Sequence, residues 1–439
     1  MGYSTPFTRL AAKLSSDLWL FTGLLILNGG SLGRTMKLAQ TFAALKSPNY
    51  RLWFGGQLIS LFGTWMQITA QSFLVFELTR SPAYLGYVSF AFGVPSWIFM
   101  LYGGVVADRV SRRTLLICAQ CSMMIMAFVL AAVTFAGLVQ PWHIVIFVLG
   151  LGLANAFDAP ARQAFVIELV DREDISNAVA LNATLFNMSS VVGPAVAGVV
   201  YALLGPAWCF TVNGLSFIAV IVALLLMKVK PRQKPQHNTS ALSSLKEGVR
   251  YVYKDSLIRT LMCLVAVTAM FGFAYTTLMP AWAVTILGGD ATTNGLLHSA
   301  RGAGAVLSAL LIASLGRFTF KGKLLTAGTF LLPVLLIAFA LVRWLPLSLF
   351  IMLCLGVALL LIVNLANVLL QEVVSDNLRG RVMSIYSLTH FGFMPIGGLF
   401  AGVMAEYAGA PATVIMCGLL CFVSAVVLWV YTPMIRRVE

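Results

Sequence analysis

The chain has 439 residues, of which 60% are apolar and 10% are charged. A soluble domain carries about 25% charged residues, so a water-exposed surface around one buried core is excluded, and the abundance of Leu, Val, Ile and Phe excludes a disordered chain. A net charge of +14 would suit a nucleic acid, but the basic residues sit in short turns and form no continuous face. The partner they imply is a lipid bilayer, and no nucleic acid is expected.

The apolar residues come in long runs, where a helix needs about 20 to cross the hydrocarbon. They are not the roughly 10-residue alternating segments of an outer-membrane barrel. The expected protein is therefore an all-α polytopic membrane protein. Twelve stretches are predicted as spans: 51–76, 83–107, 114–138, 142–165, 176–204, 207–228, 257–287, 292–316, 322–343, 346–371, 381–407 and 411–433. Residues 1–35 fit none of this. Their apolar run Leu18 to Leu27 is too short to span and follows Arg9 and Lys13, as in a signal-peptide core. Met36-Lys37 reads as a start, so 1–35 is expected to be an extension, disordered or not translated. The long basic segment 229–256 separates an N-terminal six-helix bundle, 36–228, from a C-terminal one, 257–439, and is expected to be a cytosolic loop. The seven cysteines lie in the apolar runs and read as small buried hydrophobes. Cys118 and Cys121 have redox spacing, but a lone pair makes no zinc site.

Orientation follows from the turns. Only Arg80 and Arg343 fall on one side, whereas Lys46, Arg51, Arg109, Arg112, Arg113, Arg172, the central segment, Lys321, Lys323, Arg379 and Arg381 fall on the other. Both termini are expected on the basic, cytosolic side of a bacterial inner membrane.

The two halves repeat. A shift of 209 residues brings Gly86 onto Gly295, Gly93 onto Gly302, Asn155 onto Asn364, Asp158 onto Asn367 and Arg162 onto Gln371, and later a shift of 205 brings Gly193 onto Gly398. Parallel six-span repeats are a transporter plan, with the site between the halves.

The turn after span 2 reads Gly103-Gly104-Val-Val-Ala-Asp108-Arg109-Val-Ser111-Arg112-Arg113. It resembles the loop signature of the major facilitator superfamily, matching it at Gly104, Asp108, Arg109, Arg112 and Arg113, with Ser111 where the pattern has glycine. Gly104 would let two helices touch, and Asp108 would meet a helix N-terminus or a cation. The resemblance implies that this loop gates the cytosolic side together with an acidic residue at the end of span 4, a place that Glu168 occupies. Span 5 carries Ser189, Gly193, Pro194 and Gly198, similar to the glycine-proline signature of proton-coupled exporters; small-residue packing with a proline kink is the plainer reading. With Ser47 to Arg51, Phe157 to Arg162 and Arg379 to Ser384, the chain resembles the branch of that superfamily containing enterobactin exporters and macrolide efflux pumps. The resemblance implies the major facilitator fold, twelve transmembrane helices in two six-helix pseudo-symmetric halves. It also implies export of a small amphipathic molecule, siderophore or drug, by alternating access in exchange for protons. The Arg-x-x-Gln-Gly pattern of many drug antiporters is absent.

Within the spans, Ser60, Thr64, Gln67 and Gln71 share one face of span 1 and line either a wet cavity or an interhelical contact. Asn155, Asp158 and Arg162 share a face of span 4, where Asp158 and Arg162 can pair. Charges inside spans default to function, so Asp158, Arg162, and His298 with Arg301 in span 8 are candidates for proton coupling or substrate binding. Arg301 would draw an anionic substrate or neutralise a carboxylate. Asn364 and Asn367 complete the expected cavity lining, His390 is a weaker proton candidate, and Glu77 and Glu406 read as solvated. The alternatives are a facilitator or importer of a small organic solute and a membrane-embedded enzyme. The second lacks a Ser-x-x-Lys or His-Glu-x-x-His pattern. No ATP-binding loop, metal or other cofactor is expected, and the protein is expected to be a monomer.

Overall fold

A computed structural model describes residues 42–229, 241–315 and 320–431, apart from the side chains of a few helical positions, Asp108 among them. Residues 1–35 lie outside the described segments. Eleven described helices are long and apolar enough to cross a membrane: Pro48–Thr79, Arg112–Phe135, Pro141–Glu168, Arg172–Leu204, Pro206–Leu226, Ser256–Ile286, Ala291–Ser314, Lys321–Leu341, Leu345–Val373, Leu378–Ala408 and Ala410–Val430. Pro82–Arg109 is the twelfth long helix and packs along the fourth and eleventh. In chain order these are spans 1 to 12, and their bounds lie within a few residues of the predicted stretches.

The starts are written in the sequence. Pro48, Pro82, Pro141 and Pro206 occupy the first helical positions of spans 1, 2, 4 and 6, where proline's fixed φ suits the helix and its missing N–H costs no bond. Two tight turns each need one glycine at positive φ, Gly205 at 89° between spans 5 and 6 and Gly409 at 81° between spans 11 and 12. Their equivalent places in the two halves are a structural trace of the repeat.

The segment 229–256, expected as a loop, contains the helix Ala241–Lys254. Leu245, Val249 and Val252 repeat at helical spacing among charged residues, a pattern too polar for a hydropathy reading to register. This helix lies against span 11, where Glu247 Oε1 is 2.6 Å from Arg381 Nη1. Asp255 then caps span 7, accepting from the Leu257 and Ile258 N–H groups at 2.9 Å each.

One end of the bundle carries most of the basic turns and the linker helix, and is called here the basic end. The far end carries Arg80 and Arg343. The halves meet along two seams, span 2 on span 11 and span 5 on span 8. A Cβ on Gly86 would stand 3.1 Å from the Gly398 carbonyl oxygen, and one on Gly295 would stand 2.4 Å from that of Pro194. The glycines that the repeat aligns thus make equivalent contacts on the two seams. Glu406 of span 11 strengthens the far end. It accepts from Ser81 Oγ at 2.6 Å and from the Ala83 N–H at 3.2 Å, so a carboxylate of one half caps the positive N-terminus of a helix in the other. Glu77 accepts from Tyr201 Oη. Neither acid is merely solvated, as the sequence reading had it: each finds a donor on another helix that helical spacing alone does not reveal. Two of the cysteines, Cys118 and Cys263, face outward, while Cys209, Cys417 and Cys421 are buried. In a lipid setting an outward face is as apolar as an inward one, so the sequence did not distinguish them.

Candidate functional site

At the basic end, Arg112 opens span 3 and Glu168 closes span 4. Their side chains meet at 2.8 Å, and Arg112 Nη1 also donates to the Ala164 carbonyl at 3.1 Å. Arg113 donates to the Leu225 carbonyl at 2.8 Å, closing the C-terminus of span 6. Arg109 is exposed, and the Asp108 side chain lies outside the description. The second half has a bridge of the same kind, Lys321 Nζ to Glu372 Oε1 at 2.5 Å, between the start of span 9 and the end of span 10. The helix contact expected of Gly104 falls on its neighbour: a Cβ on Gly103 would stand 2.3 Å from the Ala156 carbonyl oxygen of span 4, whereas one on Gly104 meets nothing within 4 Å. One residue is a 100° rotation on a helix, enough to move a glycine from a seam to open space.

Deeper in the first half, Asp158 is fully buried. Arg162 donates to Oδ2 through Nε at 2.9 Å and also through Nη2. Gln120 of span 3 donates to Oδ1 through Nε2 at 2.8 Å. Both carboxylate oxygens are therefore held, one by a cation and one by an amide from a second helix. Gln120 was missed in the sequence, although a lone Gln inside a lipid-length helix is a signal for such a partner. The repeat places a neutral copy in span 10, where Gln371 Nε2 donates to Asn367 Oδ1 at 2.5 Å. Asn155 and Asn364 are half-buried.

On span 1, the interhelical alternative is what the geometry presents for Gln67, which in turn holds Gln71 one turn along the same helix. Asn213 Nδ2 of span 6 donates to Gln67 Oε1 at 2.6 Å, and Gln67 Nε2 donates to Gln71 Oε1 at 3.3 Å. Asn213 and Ser216 were not singled out, because the partner's register cannot be read from one helix. Thr64 donates to the Ser60 carbonyl at 2.8 Å, and Ser60 is buried.

Span 5 uses its small residues against two neighbours. A Cβ on Gly193 would stand 2.6 Å from Trp65 Cβ of span 1, and one on Gly198 would stand 2.8 Å from both the Ala291 oxygen and Thr292 Cα of span 8. Ser189 is buried with its hydroxyl unpaired.

Span 8, Ala291–Leu315, presents Asn294, His298 and Arg301 at i, i+4 and i+7, on one face. Arg301 is the eleventh of 25 residues, about 15 Å along the helix at 1.5 Å per residue, hence near mid-bilayer. Neither His298 Nε2 nor Arg301 Nε has a hydrogen-bond partner. A cation at this depth costs roughly 2.5–3.5 kcal/mol even on insertion scales. Facing them, span 7 is not a regular α-helix: Thr268–Gly272 and Trp282–Ile286 are π-turns flanking the tighter segment Ala274–Leu278. Such interruptions are frequent at functional sites. They carry Tyr275, fully buried with its hydroxyl unpaired, and Tyr275 lies within electrostatic reach of Arg301. His390 of span 11 sits among rings, 5.5 Å from Phe273 and 5.1 Å from Phe391.

Comparisons with known proteins agree with this architecture. The family described as transmembrane secretion effector matches residues 39–437. The staphyloferrin A transporter of Staphylococcus aureus is 22% identical over 84% of this chain and 92% of its own. The multidrug efflux pump Tap of Mycolicibacterium fortuitum is 24% identical over 86% and 94%, and macrolide efflux protein A of Streptococcus pyogenes 23% over 89% and 96%. Among solved structures, a bacterial homolog of the human lysosomal transporter Spinster superposes with a TM-score of 0.69 at 12% identity, covering 87% of this chain and 97% of that one. The nucleoside transporter NupG gives 0.69 at 14%, covering 87% and 98%. With a family match across nearly its whole length and a fold that solved transporters share, the chain is a multi-pass membrane transporter, not an enzyme, and it belongs to the transmembrane secretion effector family of the major facilitator superfamily.

Proposed function

We propose that this protein exports a small amphipathic molecule across the bacterial inner membrane by alternating access, in exchange for protons. The observation that carries the coupling is Asp158, a fully buried carboxylate whose two oxygens are held by Arg162 and Gln120. Protonation of Asp158 would free Arg162 and loosen spans 3 and 4 together. The outward direction is supported by the relatives named as efflux proteins. Inverted membrane vesicles test it. Acidifying their lumen is expected to drive labelled erythromycin, ethidium or a catechol siderophore inward, and an uncoupler to stop it. Whole-cell uptake that rises with expression, without uptake into inverted vesicles, would make the protein an importer.

The basic end is the cytosolic one in this reading, on the strength of the charge asymmetry. Residues 36–228 and 257–439 then rock as two bodies joined by 229–256. A C-terminal alkaline phosphatase fusion is expected to be inactive, because that reporter requires the periplasm; activity would reverse the topology.

The geometry shown closes the far end, where Glu406, Gly86 and Gly198 bring the halves together. The Arg112–Glu168 bridge is already made within the first half in this geometry, and with Asp108 it forms the charged surface against which the second half closes on the cytosolic side in the opposite, outward-open state. Glu168→Gln is expected to weaken transport by roughly tenfold with normal insertion, since a charged hydrogen bond contributes ~1.5–3 kcal/mol and both partners here are mostly shielded. Flux in membranes containing matched amounts of protein measures this. Unchanged flux in Glu168→Gln and in Asp108→Asn would remove the cluster from the mechanism.

A further inference from the structure

From the unpaired cation in span 8 we infer an anion-binding subsite in the second half, in which Arg301, with Asn294, His298 and Tyr275, receives the carboxylate of an amphipathic organic anion. The inference deepens the export reading by giving the substrate a charge class.

The case begins with what is missing around Arg301. Among the described residues no carboxylate and no hydrogen-bond acceptor meets its side chain, and its Nε is buried without a partner. Among the described residues, the acids that lie within the spans or at their far end are engaged elsewhere, Asp290 beside span 8 by accepting from the Thr292 and Thr293 N–H groups at 2.9 and 3.1 Å. Asp158 is held by Arg162, Glu77 by Tyr201, and Glu406 by Ser81. The second-half acids at the basic end, Glu372 and Asp376, pair with Lys321 and Arg379. Hence none of these acids is left to balance a guanidinium near mid-bilayer.

A second, independent observation points the same way. Asn294 is fully buried, and neither its amide nitrogen nor its oxygen is hydrogen-bonded; Tyr275 is fully buried with a free hydroxyl. Buried polar groups are normally satisfied, so unsatisfied groups on the face that carries Arg301, with the free Tyr275 hydroxyl on span 7, mark a place shaped for an absent partner. The packing of span 8 aims this face. Gly295, Ser299 and Gly302 press on span 5, with Ser299 donating to the Val191 carbonyl at 2.6 Å, and Gly304 presses on span 10. Asn294, His298 and Arg301 occupy the arc between those two seams, on the side away from the outward-facing Leu296, Leu307 and Leu311. A planar guanidinium with flanking N–H and O–H donors matches a carboxylate in a bidentate fork.

Two dyes sharing one xanthene skeleton test the charge class. Fluorescein carries a free carboxylate, and rhodamine 6G is a cation with that carboxylate esterified. Binding to the purified full-length protein is followed by fluorescence anisotropy. Fluorescein is expected to bind, Arg301→Gln to weaken it about tenfold or more, and Arg301→Lys, which keeps the charge but loses the two-pronged fork, to bind at a level between the two. Rhodamine 6G binding is expected to be weaker and indifferent to Arg301→Gln. Absent fluorescein binding, or binding unchanged in Arg301→Gln while the variant stays monodisperse with wild-type melting, would overturn the subsite. Flux into inverted vesicles separates the two levels. Fluorescein that binds through Arg301 but is never pumped leaves the subsite standing and refutes export, whereas pumping of both dyes unaffected by Arg301→Gln refutes the subsite and leaves export standing.

Discussion

Asp158→Asn is expected to abolish proton-driven transport, by a hundredfold or more, while leaving the protein inserted in the membrane. Asparagine keeps the shape and can still accept from Gln120, whose bond to Oδ1 is 2.8 Å. It cannot take up or release a proton, and it cannot neutralise Arg162. A fully buried pair broken on one side costs ~3–5 kcal/mol. The Arg162 side chain is 22% exposed, so the loss of stability here should be nearer ~1–3 kcal/mol. The second half supplies the control, because its equivalent positions form an amide pair, Gln371 to Asn367 at 2.5 Å. The double variant Asp158→Asn with Arg162→Gln copies that pair into the first half. It is expected to regain most of the lost thermal stability yet stay uncoupled. That result separates the proton's role from the fold's. Wild-type proton-coupled flux in Asp158→Asn would move the coupling to His298, to His390 or out of the protein's side chains altogether.

The same pair shows what the sequence makes legible. A bilayer demands apolar runs of about twenty residues and rewards basic turns on one side, so the spans and their boundaries are written almost directly. Contacts along a single helix are legible too, since Asp158 and Arg162 lie four apart. Contacts between helices are not. Gln120, Asn213 and Glu406 each meet a partner chosen by the lateral packing of spans, which periodicity does not encode. The shift from Gly104 to Gly103 has the same origin. The loop signature locates the turn, but the residue that touches span 4 depends on a helix rotation set by the Ala156 carbonyl it must pass. Unsatisfied groups lie furthest from view. Asn294 and Tyr275 are conspicuous because the fold leaves them without partners, and no local pattern announces that.

Gly198→Leu is expected to insert normally and to lower efflux at least tenfold. A Cβ at this position would lie 2.8 Å from the Ala291 oxygen and from Thr292 Cα, and both are backbone atoms that no rotamer change can move aside. The opposite wall is closer still, since a Cβ on Gly295 would stand 2.4 Å from the Pro194 oxygen. Overpacking of this kind costs roughly 1–3 kcal/mol. The cost falls on the state in which spans 5 and 8 touch, the far-end-closed state, and spares the state in which they part. A penalty of about 2 kcal/mol applied to one of two states shifts their ratio roughly thirtyfold, so the variant should rest with its far end open and seldom load from the cytosol. Spin labels at Leu138 and Tyr407 report this, because both positions are well exposed at the far end and belong to different halves. Their separation is expected to lengthen in Gly198→Leu, whereas Gly198→Ala, with one methyl, should show an intermediate distribution and partial efflux. An unchanged distance together with normal efflux would mean that the halves do not part along this seam.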